Sequence, residues 1–257
     1  TQSTWGSCLS IGFIDFNLGR IFSVHPFPHG AFSFLTMAGF PTLLKRLYLS
    51  AYNWAVFFGW VQVLYLAVKT LIETGHQHVY HAVEKPLQLA QTAAILEILH
   101  GLTGLVRSPV TATLPQIGSR LYVTWMILHT FPKIQSHFLV SSLIISWSLT
   151  ETIRYSFYGM KETFGSAPSF LSWLRYSTFL MLYPTGISSE VGLISLAMPY
   201  IKASEMYCIR LPNKWNFSFD NFYFAILVLG IYVPGSPHMY GYMLGQRKKA
   251  LSKSKRD

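Results

Sequence analysis

The sequence predicts an all-α fold, a polytopic membrane bundle of about six transmembrane helices. Three observations predict it. Hydrophobic residues make up 51% of the 257 residues, and the mean hydropathy is +0.34. Charged residues make up only 12%, about half the share of a typical soluble domain, which leaves too little polar surface to cover a globule of this size. Finally, several apolar runs are long enough to cross the roughly 30 Å hydrocarbon core of a bilayer.

Six segments have the character of a membrane span, with five or seven as the alternative counts. The first has 21 residues without a charge. The fifth has 32 residues and would be about 48 Å long if fully helical, so we interpret it as one helix that is tilted or kinked at Pro184, with two half-spans as the alternative. The last is expected to break near Pro234-Gly235-Ser236-Pro237. The six segments are residues 48–68, 87–106, 117–131, 138–158, 170–201 and 219–244.

The basic residues predict the orientation of these spans. Six of the 20 Lys and Arg residues lie in the last eleven positions, and a basic cluster after an apolar segment is typical of a cytosolic membrane anchor. An even number of spans then places both termini in the cytosol, with 14 basic residues on or near that side. Lys253 and Lys255 also form a KxKxx pattern, which is typical of retrieval to the endoplasmic reticulum. The net charge of +10 comes from no basic domain, so we expect no nucleic-acid partner.

Residues 1–36 differ in character from the rest of the chain. They contain no 18-residue apolar run and no basic region ahead of an apolar one, and His25-Pro26-Phe27-Pro28-His29-Gly30 would break a helix. We therefore divide the sequence into a leader or disordered extension (1–36), a six-span membrane domain (37–246) and a basic cytosolic tail (247–257). Met37 is the expected start of the functional chain.

Four ionisable residues form two close pairs inside predicted spans. An ionisable side chain at the bilayer centre costs roughly 2.5–3.5 kcal/mol on insertion scales, so it needs a partner or a function. Glu97 and His100 are three positions apart and share a helical face. Interhelical hydrogen bonds are the favoured interpretation, with a proton relay or a substrate contact as the alternative. Glu151 and Arg154 have the same spacing and are predicted to form an internal ion pair.

Glu190 has no basic residue near it in sequence, since none occurs from 176 to 201. Tyr183 lies seven positions earlier, nearly two turns, so the two side chains share a face about 10 Å apart in a regular helix. Pro184 and Gly186 loosen the intervening turn and can shorten that distance. A carboxyl and a phenol that face a bundle interior are suitable general acid and base groups. A structural hydrogen bond from Glu190 to another helix is the alternative.

Other motif classes are absent or weak. The segment His76-Gln77-His78-Val79-Tyr80-His81 suggests a metal site, but its nearest carboxylates are Glu73 and Glu84 and it lies in a short loop, so a solvated loop is favoured. Two cysteines, Cys8 and Cys208, exclude a disulfide scaffold and any four-thiolate metal site. Glycine-rich nucleotide motifs and a nucleophile elbow do not occur. We expect neither a metal nor a cofactor.

The stretch from His100 to Arg107 resembles the HCxxGxxR loop of cysteine phosphatases. Gly101 occupies the cysteine position. Because glycine has no nucleophile, cysteine-phosphatase chemistry cannot proceed there.

Five motifs between about Met37 and Asp257 jointly resemble a known family. This family is the very-long-chain 3-hydroxyacyl-CoA dehydratases, once called protein-tyrosine-phosphatase-like proteins, and the resemblance is greatest to its plant members. The motifs are Glu84-Lys85-Pro86-Leu87-Gln88, Leu96-Glu97-Ile98-Leu99-His100-Gly101, Glu151-Thr152-Ile153-Arg154-Tyr155-Ser156-Phe157-Tyr158, Leu182-Tyr183-Pro184-Thr185-Gly186 and Arg210-Leu211-Pro212-Asn213.

The resemblance implies a six-span enzyme of the endoplasmic reticulum membrane. Its reaction is the third step of fatty-acid elongation, the dehydration of a very-long-chain (3R)-3-hydroxyacyl-CoA to the trans-2-enoyl-CoA. The family's essential tyrosine and glutamate, seven apart, fall on Tyr183 and Glu190. Besides the acyl-CoA substrate and the lipid bilayer, the implied partners are the other elongation enzymes, namely the condensing enzyme, the ketoacyl reductase and the enoyl reductase.

The implied chemistry needs one proton acceptor and one proton donor and no metal or redox cofactor. We favour Glu190 as the base that removes the C2 proton and Tyr183 as the acid that assists the leaving hydroxyl. Reversed roles, or Tyr183 polarising the thioester carbonyl, are the alternatives. A non-catalytic membrane scaffold that binds elongase subunits or phosphotyrosine proteins is the alternative function. The CoA phosphates are expected at the cytosolic face, where the candidate partners are Arg107, Arg120, Arg154, Lys161 and Arg175.

Overall fold

Long apolar helices dominate the computed structural model, which describes residues 35–106 and 110–253. A short 3₁₀ turn, His76–His78, precedes the second helix, and a π-helical segment, Tyr122–Leu128, continues the fourth. The helices are α1 (Leu35–Glu73), α2 (Val79–Ala93), α3 (Ile95–Leu102), α4 (Val110–Leu121), α5 (Pro132–Gln135), α6 (Phe138–Phe164), α7 (Ser169–Ser177), α8 (Phe179–Ser204) and α9 (Asn221–Lys253).

The predicted helical membrane fold is confirmed. Three helical stretches in the described residues are long and apolar enough to cross a bilayer: Thr42–Glu73, Phe179–Ser204 and Asn221–Ala250. Between residues 35 and 106 and between 110 and 253 no strand forms, and the only extended pairing there is an isolated antiparallel bridge between Ile209 and Phe219. That bridge lies in the loop that connects α8 to α9.

The bundle buries one apolar core and turns other apolar side chains outward. Helix α1 packs along α6 and α2, α6 packs on α8, and α8 packs on α9. Trp60 and Leu193 are among the buried core side chains, whereas Ile72 and Met181 are 78% and 76% exposed. Outward-facing apolar side chains of this size suit a surface surrounded by lipid tails.

A close approach between α1 and α6 depends on a glycine. A Cβ atom added to Gly159 would lie 3.0 Å from the ring of Trp54. Small residues at such contacts let membrane helices approach closely and gain van der Waals contact.

The break predicted in the last span is wrong, and the fifth predicted span divides at a residue other than its proline. The fifth segment divides at Thr178, between α7 and α8, and not at Pro184. The Thr178 carbonyl accepts from both the Met181 and the Leu182 N–H, at 3.2 and 3.0 Å, so a tighter 3₁₀-type turn accompanies the junction. Helix α9 continues through Pro234 and Pro237, because each proline removes only one N–H and membrane helices tolerate that loss.

The second and third predicted spans also differ in their bounds. The helical segment of the second begins at Val79, contains Pro86 and is interrupted between α2 and α3, at Ala94. The helix of the third begins at Val110, earlier than predicted. The proposed extension 1–36 falls almost wholly outside the described residues, as do Arg107 and Lys255.

Candidate active site

An elongated cavity lies between α4, α6, α8 and α9. Its volume is about 400 Å³ and its walls are mostly apolar. Helix α9 lines it from Phe224 to Met243, a stretch of about 28 Å at the helical rise of 1.5 Å per residue. Both predicted site residues, Tyr183 and Glu190, line this cavity. Their common face on α8 therefore points into a space between helices.

The Glu190 carboxylate is held by two helices other than its own. The side chain is buried, with 7% exposure. Its Oε1 atom accepts a hydrogen bond from the Trp147 indole N–H of α6 at 2.8 Å. Its Oε2 atom accepts one from the Tyr232 hydroxyl of α9. Since an ionised carboxylate offers about four acceptor positions, two remain open towards the cavity.

Tyr183 meets α9 one turn further along. Its hydroxyl donates to the backbone carbonyl of Ser236 at 3.3 Å, and its ring stacks on Tyr240 with centroids 6.1 Å apart. Because Tyr232 and Ser236 are four residues apart, they lie on one face of α9. The phenol of Tyr183 and the carboxylate of Glu190 therefore contact this face of α9 about one helical turn apart. Both side chains line the same cavity.

Three further residues border the Glu190 site without being assigned to it by the sequence, namely Trp147, Tyr232 and Arg120. The sequence suggests Arg120 only as a partner for the CoA phosphates. In the structure its guanidinium lies 5.5 Å from the centroid of the Trp147 ring. Neither aromatic residue belongs to a recognisable motif around Glu190. The Pro-Gly-Ser-Pro segment that follows Tyr232 is a weak sequence signal that this part of the last span is unusual.

A network of partly buried charges lies next to Trp147. Arg154 donates to Glu151 at 2.6 Å and to both oxygens of Glu97 at 2.9 and 3.0 Å. Arg120 also pairs with Glu151, and the Tyr155 hydroxyl donates to Glu97. The predicted Glu151–Arg154 ion pair is confirmed. Two arginines and two glutamates balance, so the network carries no net charge.

The remaining polar candidates have separate surroundings. His100 does not bond to Glu97. Its Nε2 atom lies 2.9 Å from the Tyr48 hydroxyl of α1, an interhelical contact as expected. No group of three or more His, Cys, Asp or Glu residues in the described parts of the chain is arranged to hold a metal ion. The phosphatase-like stretch continues past α3 through Gly104, and its Arg107 lies outside the described residues.

The cavity combines an acceptor and a donor in an apolar slot. The carboxylate of Glu190 can accept a proton, and the phenol of Tyr183 can donate one, in a volume with mostly apolar walls. This arrangement suits the removal of a proton and a hydroxyl from neighbouring carbons of a long apolar molecule.

Known proteins resemble the chain closely. The family described as "Protein tyrosine phosphatase-like protein, PTPLA" matches residues 91–253. The "Very-long-chain (3R)-3-hydroxyacyl-CoA dehydratase PASTICCINO 2A" of Oryza sativa subsp. japonica is 74% identical over 219 residues, which are 85% of this chain and 99% of the relative. PASTICCINO 2 of Arabidopsis thaliana, with the same enzyme name, is 72% identical over 86% of this chain and 100% of its own.

More distant relatives have the same type of name. The "Very-long-chain (3R)-3-hydroxyacyl-CoA dehydratase 2" of Homo sapiens is 40% identical over 210 residues, which are 81% of this chain and 82% of the relative. No solved structure gives a significant match.

Proposed function

The chain belongs to the protein tyrosine phosphatase-like (PTPLA) family, and from this premise we propose that it is a very-long-chain (3R)-3-hydroxyacyl-CoA dehydratase. It catalyses the third step of the fatty-acid elongation cycle, which converts a 3-hydroxyacyl-CoA into the trans-2-enoyl-CoA. The observation that supports this most strongly is the shared cavity of Tyr183 and Glu190, since a dehydration needs one acceptor and one donor beside an apolar chain.

We assign the base to Glu190. The thioester acidifies the C2 proton, and a carboxylate oxygen of Glu190 takes it as the C2–C3 double bond forms. The C3–O bond breaks, and the Tyr183 hydroxyl gives its proton to the departing hydroxide, which leaves as water. Transfer of the proton from Glu190 to the Tyr183 phenolate then restores both groups. Both oxygens of Glu190 accept hydrogen bonds, whereas the Tyr183 hydroxyl donates one to a carbonyl, and these roles as acceptor and donor support this assignment over the reverse.

A non-catalytic scaffold is the weaker alternative. It has no use for a buried acid and phenol that border one cavity, whereas the dehydration uses both. The phosphatase-like stretch supports neither phosphatase activity nor a defined phosphotyrosine site, because Gly101 offers no nucleophile.

The membrane arrangement that we propose has six spans. Besides the three long apolar helices, residues 79–102, residues 110–128 and helix α6 form helical segments about 36, 28 and 40 Å long, close to or above the thickness of the hydrocarbon core. The charges that reduce the hydropathy of α6 are compensated inside the bundle by the network around Glu151. With six spans and a basic tail, both termini lie in the cytosol and the protein resides in the endoplasmic reticulum.

We propose that the phosphates of the substrate bind near α7. Arg120 and Arg154 both pair with carboxylates, whereas Arg175 makes no ion pair in the described part of the chain. Its Nη2 atom donates to the Tyr158 hydroxyl at 2.8 Å, and its Nε and Nη1 atoms are buried without a hydrogen-bond partner. Phe179, which follows α7, lines the nearby end of the cavity. These positions support Arg175 over Arg120 and Arg154 as a partner of the phosphates.

Conversion of a defined substrate tests the proposed function. The full chain, purified and reconstituted in liposomes, should convert a very-long-chain (3R)-3-hydroxyacyl-CoA to the trans-2-enoyl-CoA, as measured by chromatography and mass spectrometry. The (3S) epimer and a preparation carrying both Tyr183→Phe and Glu190→Gln serve as controls. Absence of product with folded wild-type protein would overturn the proposal.

A further inference from the structure

The contacts of Glu190 and Tyr183 with α9 point to a role for that helix in catalysis. In each case the partner is a group of α9 and not the other residue of the pair. The Tyr232 hydroxyl donates to Glu190, and the Ser236 carbonyl accepts from Tyr183. Both α9 groups lie on one face, about 6 Å apart along the helix. Helix α9 thus contacts the polar end of both the acid and the base, which belong to α8.

We propose that Tyr232, together with Trp147, is a positioning residue that holds the Glu190 carboxylate in the orientation needed to take the C2 proton. This inference rests on the proposed dehydration and adds two residues to it. Tyr232 and Trp147 donate from different helices, α9 and α6, to different oxygens of the same carboxylate. A glutamate side chain has three rotatable bonds, and two hydrogen bonds from separate directions restrict the rotation of its carboxylate group.

The location of Tyr232 favours this role over simple satisfaction of a buried acid. Both Tyr232 and Trp147 line the cavity with Glu190, so the three side chains border the space that the acyl chain would occupy. Trp147 and Tyr232 occupy two acceptor positions of the carboxylate, and the remaining positions are available to take the substrate proton. Loss of one donor would let the carboxylate rotate, and a misplacement of about 1 Å can cost on the order of 100-fold in rate.

The Trp147 ring connects the base to the charge network. Arg120 lies over the ring that donates to Glu190, and it pairs with Glu151. Arg120 therefore connects the indole to the ion pairs of α3, α4 and α6. In the positioning role, Trp147 orients one oxygen of the carboxylate from α6 while Tyr232 orients the other from α9.

A double-mutant cycle tests the proposal. Tyr232→Phe removes only the hydroxyl and should lower kcat by about 10- to 100-fold, the scale of a lost hydrogen bond to a charged group, with KM nearly unchanged. In a Glu190→Gln background the same substitution should cost little, because there is no base left to position. Tyr223→Phe is the matched control, since Tyr223 lies on the same helix and is 69% exposed.

The outcomes separate positioning from a structural role. A loss of kcat that disappears in the Glu190→Gln background supports the proposal. Wild-type kcat for Tyr232→Phe, an effect on KM alone, or an equal loss in both backgrounds would overturn it. If Tyr232→Phe does not fold in detergent, Trp147→Phe, which keeps a ring beneath Arg120, is taken through the same cycle with the same criteria. Inactive wild-type protein would instead refute the dehydratase function on which the inference rests.

Discussion

Removal of the acid or the base should separate catalysis from stability. Glu190→Gln preserves the shape of the side chain, and its amide can satisfy both neighbours. The carbonyl oxygen accepts from Trp147, and the NH₂ group donates to the oxygen of the Tyr232 hydroxyl, whose proton can rotate away. Tyr183→Phe removes one long hydrogen bond of 3.3 Å to a backbone carbonyl, worth at most about 0.5–1.5 kcal/mol of stability.

The effect on the chemical step should be larger than either of these structural costs. Loss of a general acid or base typically lowers a rate by about 100-fold or more, which corresponds to about 2.7 kcal/mol or more of transition-state stabilisation. Single-turnover rates at saturating 3-hydroxyacyl-CoA should therefore fall at least that far in each variant, with thermal unfolding midpoints close to that of the wild type. The double variant should lose much less than the product of the two single losses, because the groups act together.

Two exposed residues provide matched control substitutions for Tyr183→Phe and Glu190→Gln. Tyr223→Phe and Glu205→Gln change the same functional groups at exposed positions and should retain wild-type rates. Near-normal turnover of Glu190→Gln would remove Glu190 from the mechanism and direct attention to Glu97 or Glu151.

Three further predictions concern the rest of the molecule. Glu151→Gln should destabilise the protein by about 3–5 kcal/mol, since Glu151 is 2% exposed between two arginines whose charges it balances; an unchanged unfolding midpoint in detergent would contradict the buried network. Gly159→Ala should cost about 1–3 kcal/mol through overpacking against Trp54, whereas Gly118→Ala, with no atom within 4 Å of its added Cβ, should be tolerated. Phosphotyrosine peptides should not be hydrolysed, because Gly101 supplies no thiol; turnover that is lost in Arg107→Ala would refute this expectation.

Several features of this protein follow from the sequence by itself. The scarcity of charge predicts a membrane bundle because a soluble surface of this size cannot be covered with so few polar groups. Spacing along one helix is equally predictable, since 3.6 residues per turn determine which side chains share a face. That rule places Tyr183 on one face with Glu190 and Glu151 on one face with Arg154, without reference to contacts between helices.

Contacts between helices were decided only by the tertiary structure. The donors to Glu190 come from α6 and α9, 43 and 42 positions away in sequence, and nothing near Trp147 or Tyr232 indicates their common target. The same holds for the break at Thr178 and the unbroken course of α9 through two prolines. In a soluble helix the apolar face predicts which side is buried, but a helix in lipid is apolar on both sides. Its rotation and register depend on close packing with its neighbours, and that information is distributed over the whole bundle.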